Sequence, residues 1–265
     1  MIHRARHRRA STSRRLRVLP VTVLVLIASA AGIFCFGART DSQASGACTA
    51  TAAHREGWGA PSDFDPFDDR SSLDDWWIYD SPGHDGNGRR TPDAVTVSGG
   101  SLVITADAAG NSGGVAERGG GRKYGRWEIC ARATRAAPTW HAVALLWPDA
   151  GDWPVGGEID FMEIVEPMRQ RVDYNLHFGA DDAVEHHEVF VDATMWHSWA
   201  VEWTPDRIAV YLDGVRWAET TDTSRFPPRP MHLCLQLDNF GGVTVPGGKM
   251  FVDWVAEYPV DDDIR

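Results

Sequence analysis

The sequence predicts an all-β protein built as a sandwich of antiparallel sheets, and two observations support this fold class. Many short segments are apolar or alternate between apolar and polar residues, and clusters of Gly, Pro and Asp separate them. No long stretch keeps the period of a helix. Numerous short strands with turns between them are typical of sandwiches, so we expect little helix.

The strand-like segments can be placed in order along the chain. They lie at 95–97, 102–104, 127–131, 171–177 and 200–203. Two further segments, at 207–212 and 215–217, flank Asp213 and Gly214. Because Asp-Gly accepts the positive φ angles of a type I′ turn, these two segments are predicted to form a hairpin.

Residues 1–47 are predicted to be a signal peptide or signal anchor followed by a linker. Seven arginines precede an apolar stretch at 18–38, as in an export signal whose charged region comes before its hydrophobic region. The stretch is long enough to span a membrane if it is not cleaved. In both cases the positive-inside rule places the rest of the chain outside the cytoplasm. We therefore expect a secreted, extracellular protein, or one anchored to the membrane only through this segment.

The charge and the cysteines limit what the protein binds and where it works. Residues 1–47 carry +7, and taking this from the −11 of the whole chain leaves −18 for residues 48–265. So acidic a chain should repel nucleic acid, whereas a neutral polysaccharide is indifferent to the charge.

Three cysteines lie outside the apolar stretch, so at least one is unpaired within the chain. Cys130 and Cys234 lie in strand-like segments, where a bridge and two buried thiols fit equally well.

Three carboxylates interrupt the otherwise apolar segment 158–163. On a strand, Glu158 and Asp160 share a face, but Glu163 would point to the opposite face. One extra residue in a β-bulge, around 161–162, would restore the alternation and bring all three acids to one face. Bulges are common next to active sites, so we predict one here.

The spacing of these acids suits acid–base chemistry. Carboxylates about 6–7 Å apart along a strand repel each other, so at least one tends to keep its proton. In retaining glycoside hydrolysis, one carboxylate attacks the anomeric carbon while a protonated carboxyl protonates the leaving oxygen. Two other interpretations stay open: a solvated strand face in an acidic protein, and a cation site, although hard cations usually take their ligands from a loop.

The segment 158–163 resembles the E-x-D-x-x-E signature of glycoside hydrolase family 16, which includes laminarinases, mixed-linkage glucanases and galactanases. Four further segments are similar to strands of this family and occur in the same order. They lie at 124–128, 140–148, 196–205 and 250–255. The resemblance implies a β-jelly-roll sandwich, concanavalin A-like, whose concave sheet forms the substrate cleft.

The resemblance also gives the predicted domain organisation. It covers residues 62–260, which would form the glycoside hydrolase catalytic domain. Residues 48–61 are rich in small and polar side chains and are predicted to be a linker, and residues 261–265 a C-terminal tail. We expect a monomer whose partner is a polysaccharide substrate.

The resemblance implies a role for each acid. Glu158 would be the nucleophile and Glu163 the general acid and then base, while Asp160 would orient Glu158 and influence where the shared proton resides. No cofactor is required, and no metal is expected in the catalytic site. Relatives carry a structural calcium ion on the sheet opposite the cleft, and Asp253 lies in the matching segment, so the resemblance allows one here.

Several aromatic and polar residues are candidates for substrate binding. They are Trp140, Trp147, Trp153, His177, Gln236 and Asn239. Indole faces stack on sugar rings, and the three tryptophans lie in or just before strands that should frame the cleft. For Trp140 and Trp147, sugar contact and burial in the core fit equally well. His177 matches a histidine that the family places near the cleft, although a lone histidine on an apolar strand also fits a structural role.

A further set, His186 and His187 with Glu185 and Glu188, has the composition of a metal site. Adjacent residues on a strand face opposite ways, so we interpret it as a solvated loop instead.

Two places also depart from the family pattern. His141 stands where many relatives have proline, and segment 236–242 replaces a run that usually ends in Ala-Val-Gly-Gly. The second segment normally helps shape the cleft, so the linkage specificity stays open.

The leading hypothesis is a secreted retaining endo-β-glucanase that hydrolyses internal β-1,3 or mixed β-1,3/1,4 bonds of polysaccharides. Galactan hydrolases and transglycosylases share the three acids and are alternatives within the family. A non-catalytic carbohydrate-binding sandwich is the alternative from another class. The intact row of acids argues against it, because a binding module gains nothing from repelling carboxylates.

Overall fold

The computed structural model describes residues 47–260 of the chain. The predictions for the leader and for the tail at 261–265 fall outside the described residues. Strands dominate the described part, as the sequence predicts, and its helices are short. None of these helices is long and apolar enough to cross a membrane.

Residues 47–260 contain one α-helix, four short 3-10 helices and seventeen strands. Helix α1 spans Ala52–Glu56, and the 3-10 helices span Arg70–Asp75, His84–Gly86, Pro92–Ala94 and Thr223–Arg225. The strands are β1 (Asp63–Asp65), β2 (Trp76–Ile78), β3 (Ser81–Pro82), β4 (Arg89–Arg90), β5 (Val95–Val97), β6 (Leu102–Thr105), β7 (Gly114–Glu117), β8 (Gly125–Ala133), β9 (Trp140–Pro148), β10 (Glu158–Ile164), β11 (Arg171–Phe178), β12 (Ala183–Phe190), β13 (His197–Trp203), β14 (Ile208–Leu212), β15 (Val215–Thr220), β16 (Met231–Asn239) and β17 (Lys249–Tyr258).

Fifteen of these strands form two large antiparallel sheets, and β3 and β4 form a separate ribbon. The seven-stranded sheet has the order β12-β11-β10-β9-β16-β7-β2. The eight-stranded sheet has the order β15-β14-β13-β8-β17-β6-β5, and β1 joins it by pairing with β17. The late strands β16 and β17 lie inside the sheets, between strands from earlier in the chain. This architecture confirms the predicted all-β jelly-roll sandwich.

The core lies between the two sheets and follows the alternation of side chains along each strand. On β9, Trp140, Ala142, Ala144 and Leu146 point inward and are buried. Trp127 of β8 is buried in the same core. Fully burying a large apolar side chain stabilises the fold by roughly 2 to 3 kcal/mol. The apolar alternation therefore decides which face of each strand remains available for a site.

The segment predicted to be a linker, 48–61, belongs to the folded domain, so that prediction is wrong. Cys48 forms a disulfide with Cys130 of β8. The alanines of α1 and Trp58 are buried against the outer face of the eight-stranded sheet. Small residues permit this close contact, and composition alone cannot distinguish it from a linker. The third cysteine of the described residues, Cys234, is free and buried.

The predicted hairpin is confirmed. Strands β14 and β15 pair antiparallel, and the two residues between them, Asp213 and Gly214, have φ angles of 49° and 72°. A type I′ turn requires positive φ at both central positions, and glycine adopts it at little cost.

Candidate active site

Strand β10 carries the three acids, and a β-bulge interrupts its pairing. The register shifts by one residue between Asp160 and Met162 on the β9 side, and between Asp160 and Glu163 on the β11 side. The extra residue is Phe161, which is buried in the core. The predicted bulge is thus confirmed, and it turns Glu163 to the same face as Glu158. We call this outer face of the seven-stranded sheet, which carries the three acids, the cleft face.

Burial and mutual repulsion govern the ionisation of the first two acids. Burial raises the pKa of Glu158 well above its ordinary value, and the charge of Asp160 raises it further, while His177 opposes the shift. Burial also raises the pKa of Asp160, and the charge of Glu163 adds to this shift. Because both carboxyl groups resist ionisation at close range, they titrate as a pair that shares a proton.

The surroundings of Asp160 favour a protonated carboxyl. The residue is 4% exposed, and its Oδ1 has no hydrogen-bond partner among the described protein groups. Its Oδ2 lies 3.5 Å from Nε2 of His177, and Nδ1 of that ring lies 2.8 Å from Oδ1 of Asp182. A buried charge without donors is costly, so a proton on the pair lowers the free energy of this site. The structure places His177 directly beside the acids, which agrees with the position that the family resemblance implies.

Each carboxylate oxygen of Glu163 has its own hydrogen-bond partner. Oε1 lies 3.0 Å from Nδ1 of His141, and Oε2 accepts a hydrogen bond from Nδ2 of Asn175 at 2.6 Å. The amide of Asn175 is oriented in turn by His186, whose Nδ1 lies 2.8 Å from Asn175 Oδ1. Glu163 is therefore held from both neighbouring strands, β9 and β11.

The two partners of Glu163, and the histidine that orients one of them, are not among the predicted site residues. In the sequence, His141 stands out only as a departure from the family pattern, and the prediction of a solvated loop at His186 is wrong, because this residue lies on β12. The missing information was strand pairing. Asn175 lies opposite Asp160, and His141 is next to the inward-facing Trp140, so alternation places both on the cleft face once the register is known.

A fourth acid, Asp238, lies on the cleft face two strands away from β10. Burial raises its pKa, and Arg90 opposes this shift through a hydrogen bond of 2.8 Å from its Nε to Asp238 Oδ1. The guanidinium of Arg90 also lies over the ring of Tyr79, 5.6 Å from its centroid. Tyr79 itself packs on the apolar residues around Cys234, so this loop covers part of the cleft face.

Besides His177, three predicted substrate contacts lie on or beside the cleft face. Trp153, just before β10, is 43% exposed, and its ring centroid lies 6.4 Å from that of His177. An exposed indole next to the acids suits stacking on a sugar ring. Trp147 lies on β9 and is partly buried on the same face. Gln236 is only 7% exposed and lies close to Tyr79, so it offers little surface to a sugar in this conformation.

The structure contradicts the other two predicted substrate contacts. Trp140 is 0% exposed in the core, and its indole N–H donates to the carbonyl oxygen of Thr244. The carboxamide of Asn239 is buried and bonds to the backbone of Gly110 and Gly241. The two residues lie opposite each other in the β9–β16 register, at positions that alternate with those of the cleft face.

One group of potential metal ligands occurs within residues 47–260. Its ligand atoms lie within 4.8 Å of one another and belong to Asp173, His186 and Glu188. The guanidinium of Arg171 lies 3.0 Å from Asp173 and 3.7 Å from Glu188, so a cation already stands between these carboxylates and the group does not fit a metal ion. Asp253, the candidate calcium ligand, lies on β17, where its Oδ2 accepts a hydrogen bond from the backbone of Ala47. Calcium binding there stays a prediction.

The cleft face thus brings together a half-buried carboxyl, a buried carboxyl that favours its protonated form and a third carboxyl with two hydrogen-bond partners. The first and third can serve as a nucleophile and a proton donor. The middle one can hold and return a proton between them.

Comparison with known proteins connects this geometry to a family. The family profile of glycosyl hydrolases family 16 matches residues 85–256. The endo-1,3-1,4-beta-glycanase ExsH of Rhizobium meliloti is 28% identical over 149 residues, which cover 53% of this chain and 31% of that protein. The glucan endo-1,3-beta-glucosidase A1 of Niallia circulans is 28% identical over 165 residues, 51% of this chain and 24% of that protein. The matched part is therefore about a quarter to a third of these relatives.

Solved structures agree on the fold. The catalytic domain of an endo-1,3-beta-glucanase (laminarinase) from Thermotoga petrophila RKU-1 superposes with a TM-score of 0.67 at 22% identity. The superposition covers 76% of this chain and 98% of that domain. The family profile spans well over half of the sequence, including all three acids of β10. The chain belongs to glycoside hydrolase family 16.

Proposed function

We propose that this chain is an endo-acting β-glucanase that hydrolyses internal β-1,3 or mixed β-1,3/1,4 bonds with retention of configuration. The observation that carries the proposal is the bulge in β10, which aligns Glu158, Asp160 and Glu163 on one face of a family 16 fold. The names of the relatives, a 1,3-1,4-glycanase and a 1,3-glucosidase, favour a β-glucan over a galactan.

In the proposed reaction, Glu158 attacks the anomeric carbon and the glycosidic C–O bond breaks. Glu163 gives its proton to the leaving oxygen, so a glycosyl ester remains on Glu158. Glu163, now ionised, then takes a proton from water, and the resulting hydroxide displaces Glu158 from the anomeric carbon. Asp160 supports both steps because, when protonated, it can donate a hydrogen bond to the free carboxylate of Glu158, which orients Glu158 before the attack and stabilises it when it leaves the anomeric carbon.

Substrate binding is proposed to rest on Trp153 and His177. The indole of Trp153 is exposed beside the acids, and its apolar face can stack on a sugar ring. The net charge of −18 over residues 48–265 disfavours polyanionic glycans but leaves a neutral glucan unaffected.

We also propose that the protein works outside the cytoplasm. The arginine-rich leader with its apolar stretch supports export. The disulfide between Cys48 and Cys130 supports an oxidising compartment, because such bonds are rare in the cytosol.

The test is a panel of laminarin, lichenan, xyloglucan and agarose, assayed by new reducing ends. We expect cleavage of laminarin or lichenan, its abolition in Glu158→Ala, and its partial rescue by azide, with a glycosyl azide of inverted configuration as product. In Glu163→Ala, an activated aryl glycoside should still form a glycosyl adduct on Glu158, visible by intact-protein mass spectrometry.

Three other outcomes identify the alternatives. Cleavage of agarose alone would indicate a galactan hydrolase, and longer products without a net gain of reducing ends would indicate a transglycosylase. Binding without cleavage would indicate a carbohydrate-binding sandwich. A Glu158→Ala variant with near-normal activity would remove the assignment of the nucleophile.

A further inference from the structure

The partner of Glu163 on strand β9 is a histidine held by a stack of rings. His141 and Glu163 are both largely buried, and Nδ1 of His141 lies 3.0 Å from Oε1 of Glu163. The imidazole stacks on Phe240, with centroids 3.9 Å apart and planes 17° apart. The other face of Phe240 stacks on His84 at 4.0 Å and 20°.

This stack joins three distant segments of the chain. His141 lies on β9, Phe240 directly follows β16, and His84 lies in a 3-10 helix before β4. Phe240 is 41% exposed, yet both of its faces are covered by imidazoles. Its ring therefore cannot stack on a sugar, and its contacts point to a different role: it supports the ring of His141.

The two partners of Glu163 differ in what they can do. The amide of Asn175 uses its oxygen to bind His186, so its nitrogen can only donate to Oε2. The Nδ1 atom of His141 accepts a hydrogen bond from a protonated carboxyl when it carries no hydrogen, and it donates one to a carboxylate when the tautomer or protonation of the ring places a hydrogen on it. His141 can therefore keep its hydrogen bond while Glu163 changes from acid to base.

We propose that His141 is the positioning residue for Glu163, held in place by the stack of Phe240 and His84, and that it stabilises Glu163 most in the ionised state. This inference rests on the proposed function of Glu163 as general acid and base. Hydrogen bonds to an ionised acceptor are stronger than those to a neutral one, which is why the carboxylate gains more from His141 than the acid does.

The charges around Glu163 make such a donor important. Glu158 and Asp160 face it from its own strand, Asp173 from β11 and Asp238 from β16. All four are acids, so each disfavours a further negative charge. The nearby cations are already engaged, since Arg90 binds Asp238 and Arg171 binds Asp173.

The experiment compares variants that separate the hydrogen bond from the stack. His141→Phe keeps an aromatic ring for the stack but removes the nitrogen, whereas Phe240→Leu removes the stack and keeps the nitrogen. His141→Gln keeps a group that can donate or accept. His54→Phe on α1 makes the same chemical change on the other side of the molecule and serves as the matched control. The kcat, KM and pH profile are measured for each on the polysaccharide that the wild type cleaves.

A hydrogen bond to a charged group is worth roughly one to two orders of magnitude in an equilibrium constant. We therefore expect kcat of His141→Phe to fall by about tenfold to a hundredfold at unchanged KM, and the alkaline limb of its pH profile to move up by about one pH unit. The kcat of His141→Gln should be higher than that of His141→Phe. The kcat of Phe240→Leu should fall by less than the kcat of His141→Phe. His54→Phe should match the wild type.

A His141→Phe variant with the kcat and pH profile of the wild type would overturn the inference, as would a loss confined to KM. If the wild type cleaves a glucan and Glu163→Ala does not, such a result leaves the proposed function standing. A wild type that cleaves no polysaccharide of the panel overturns both proposals.

Discussion

Buried carboxylates occur on the outer faces of both large sheets, but their surroundings differ. On the eight-stranded sheet, Glu128 accepts hydrogen bonds from the backbone N–H groups of Ala52 and Ala53, at 2.6 and 3.1 Å. Glu202 accepts from Arg126 at 2.8 Å and from Arg207 at 2.9 Å. Every oxygen of these two side chains has a donor, so they connect structural elements.

On the cleft face, the two acids Glu158 and Asp160 face each other instead of hydrogen-bond donors. Burial raises the pKa of both Glu158 and Asp160, the charge of Asp160 raises the pKa of Glu158 further, and the charge of Glu163 raises the pKa of Asp160 further. Burial alone therefore does not mark a reactive acid, since Glu128 and Glu202 are buried even more completely than Glu158. The supply of hydrogen-bond donors separates the two regions. Changes on the eight-stranded sheet should affect stability, and changes on the cleft face should affect activity.

The largest effect on stability is expected from the disulfide on the eight-stranded side. Cys48 and Cys130 are separated by 82 residues, and closing a loop of that length stabilises a protein by about 4 kcal/mol in the chain-entropy model. In urea unfolding, the free energy of unfolding of the double variant Cys48→Ala/Cys130→Ala should be lower by about this amount. The folded fraction should keep its specific activity. Cys234→Ala, which removes the free buried thiol, is the control and should lose far less.

A smaller loss is expected from Glu202→Gln. The substitution keeps the shape of the side chain but leaves Arg126 and Arg207 without their carboxylate partner. Breaking a buried ion pair costs about 3 to 5 kcal/mol, and the partial exposure of Arg207 reduces this, so we expect about 2 to 3 kcal/mol. The matched surface variant is Glu219→Gln, which loses only its exposed pair with Arg216. Its free energy of unfolding should change by less than about 1 kcal/mol. Equal effects for the two variants would contradict the structural role of Glu202.

The smallest expected change in stability is an increase, and it comes from Asp160→Asn. Burial raises the pKa of Asp160 above its unfolded value of about 3.9, so the unfolded chain loses this proton at a lower pH than the folded chain does. The native state is thus destabilised as the pH rises from the unfolded value toward the folded one. Asp160→Asn removes this cost and should be more stable than the wild type near pH 7, by about 1 kcal/mol, although its activity falls.

The pH dependence of this gain is the decisive measurement. Below about pH 4 the wild-type carboxyl is protonated in both states, so the advantage of Asp160→Asn should disappear there. The exposed control Asp181→Asn should show no comparable gain at any pH. A destabilised Asp160→Asn near pH 7 would mean that Asp160 is a structural acid like Glu202, and the contrast between the two sheets would fail.

Much of the molecule follows from local patterns that the sequence displays directly. The apolar alternation of short segments indicated an all-β sandwich, and Asp213-Gly214 indicated its hairpin. The spacing of the acids in 158–163 required a bulge if they were to share a face, and the bulge is present. These features depend on interactions between residues only a few positions apart, which is why a single sequence reveals them.

Pairing between distant residues decided the rest. Composition suggested a linker at 48–61, because nothing local indicates that Cys48 lies beside Cys130. The sequence alone did not distinguish the buried tryptophans from the exposed ones. In the structure, Trp140 of β9 is buried in the core, and its neighbour His141 contacts Glu163. Local patterns determine which residues form strands and that the faces of each strand alternate. Only the tertiary structure decides which strands become neighbours, and therefore which side chains meet, because that choice depends on the free energy of the whole core.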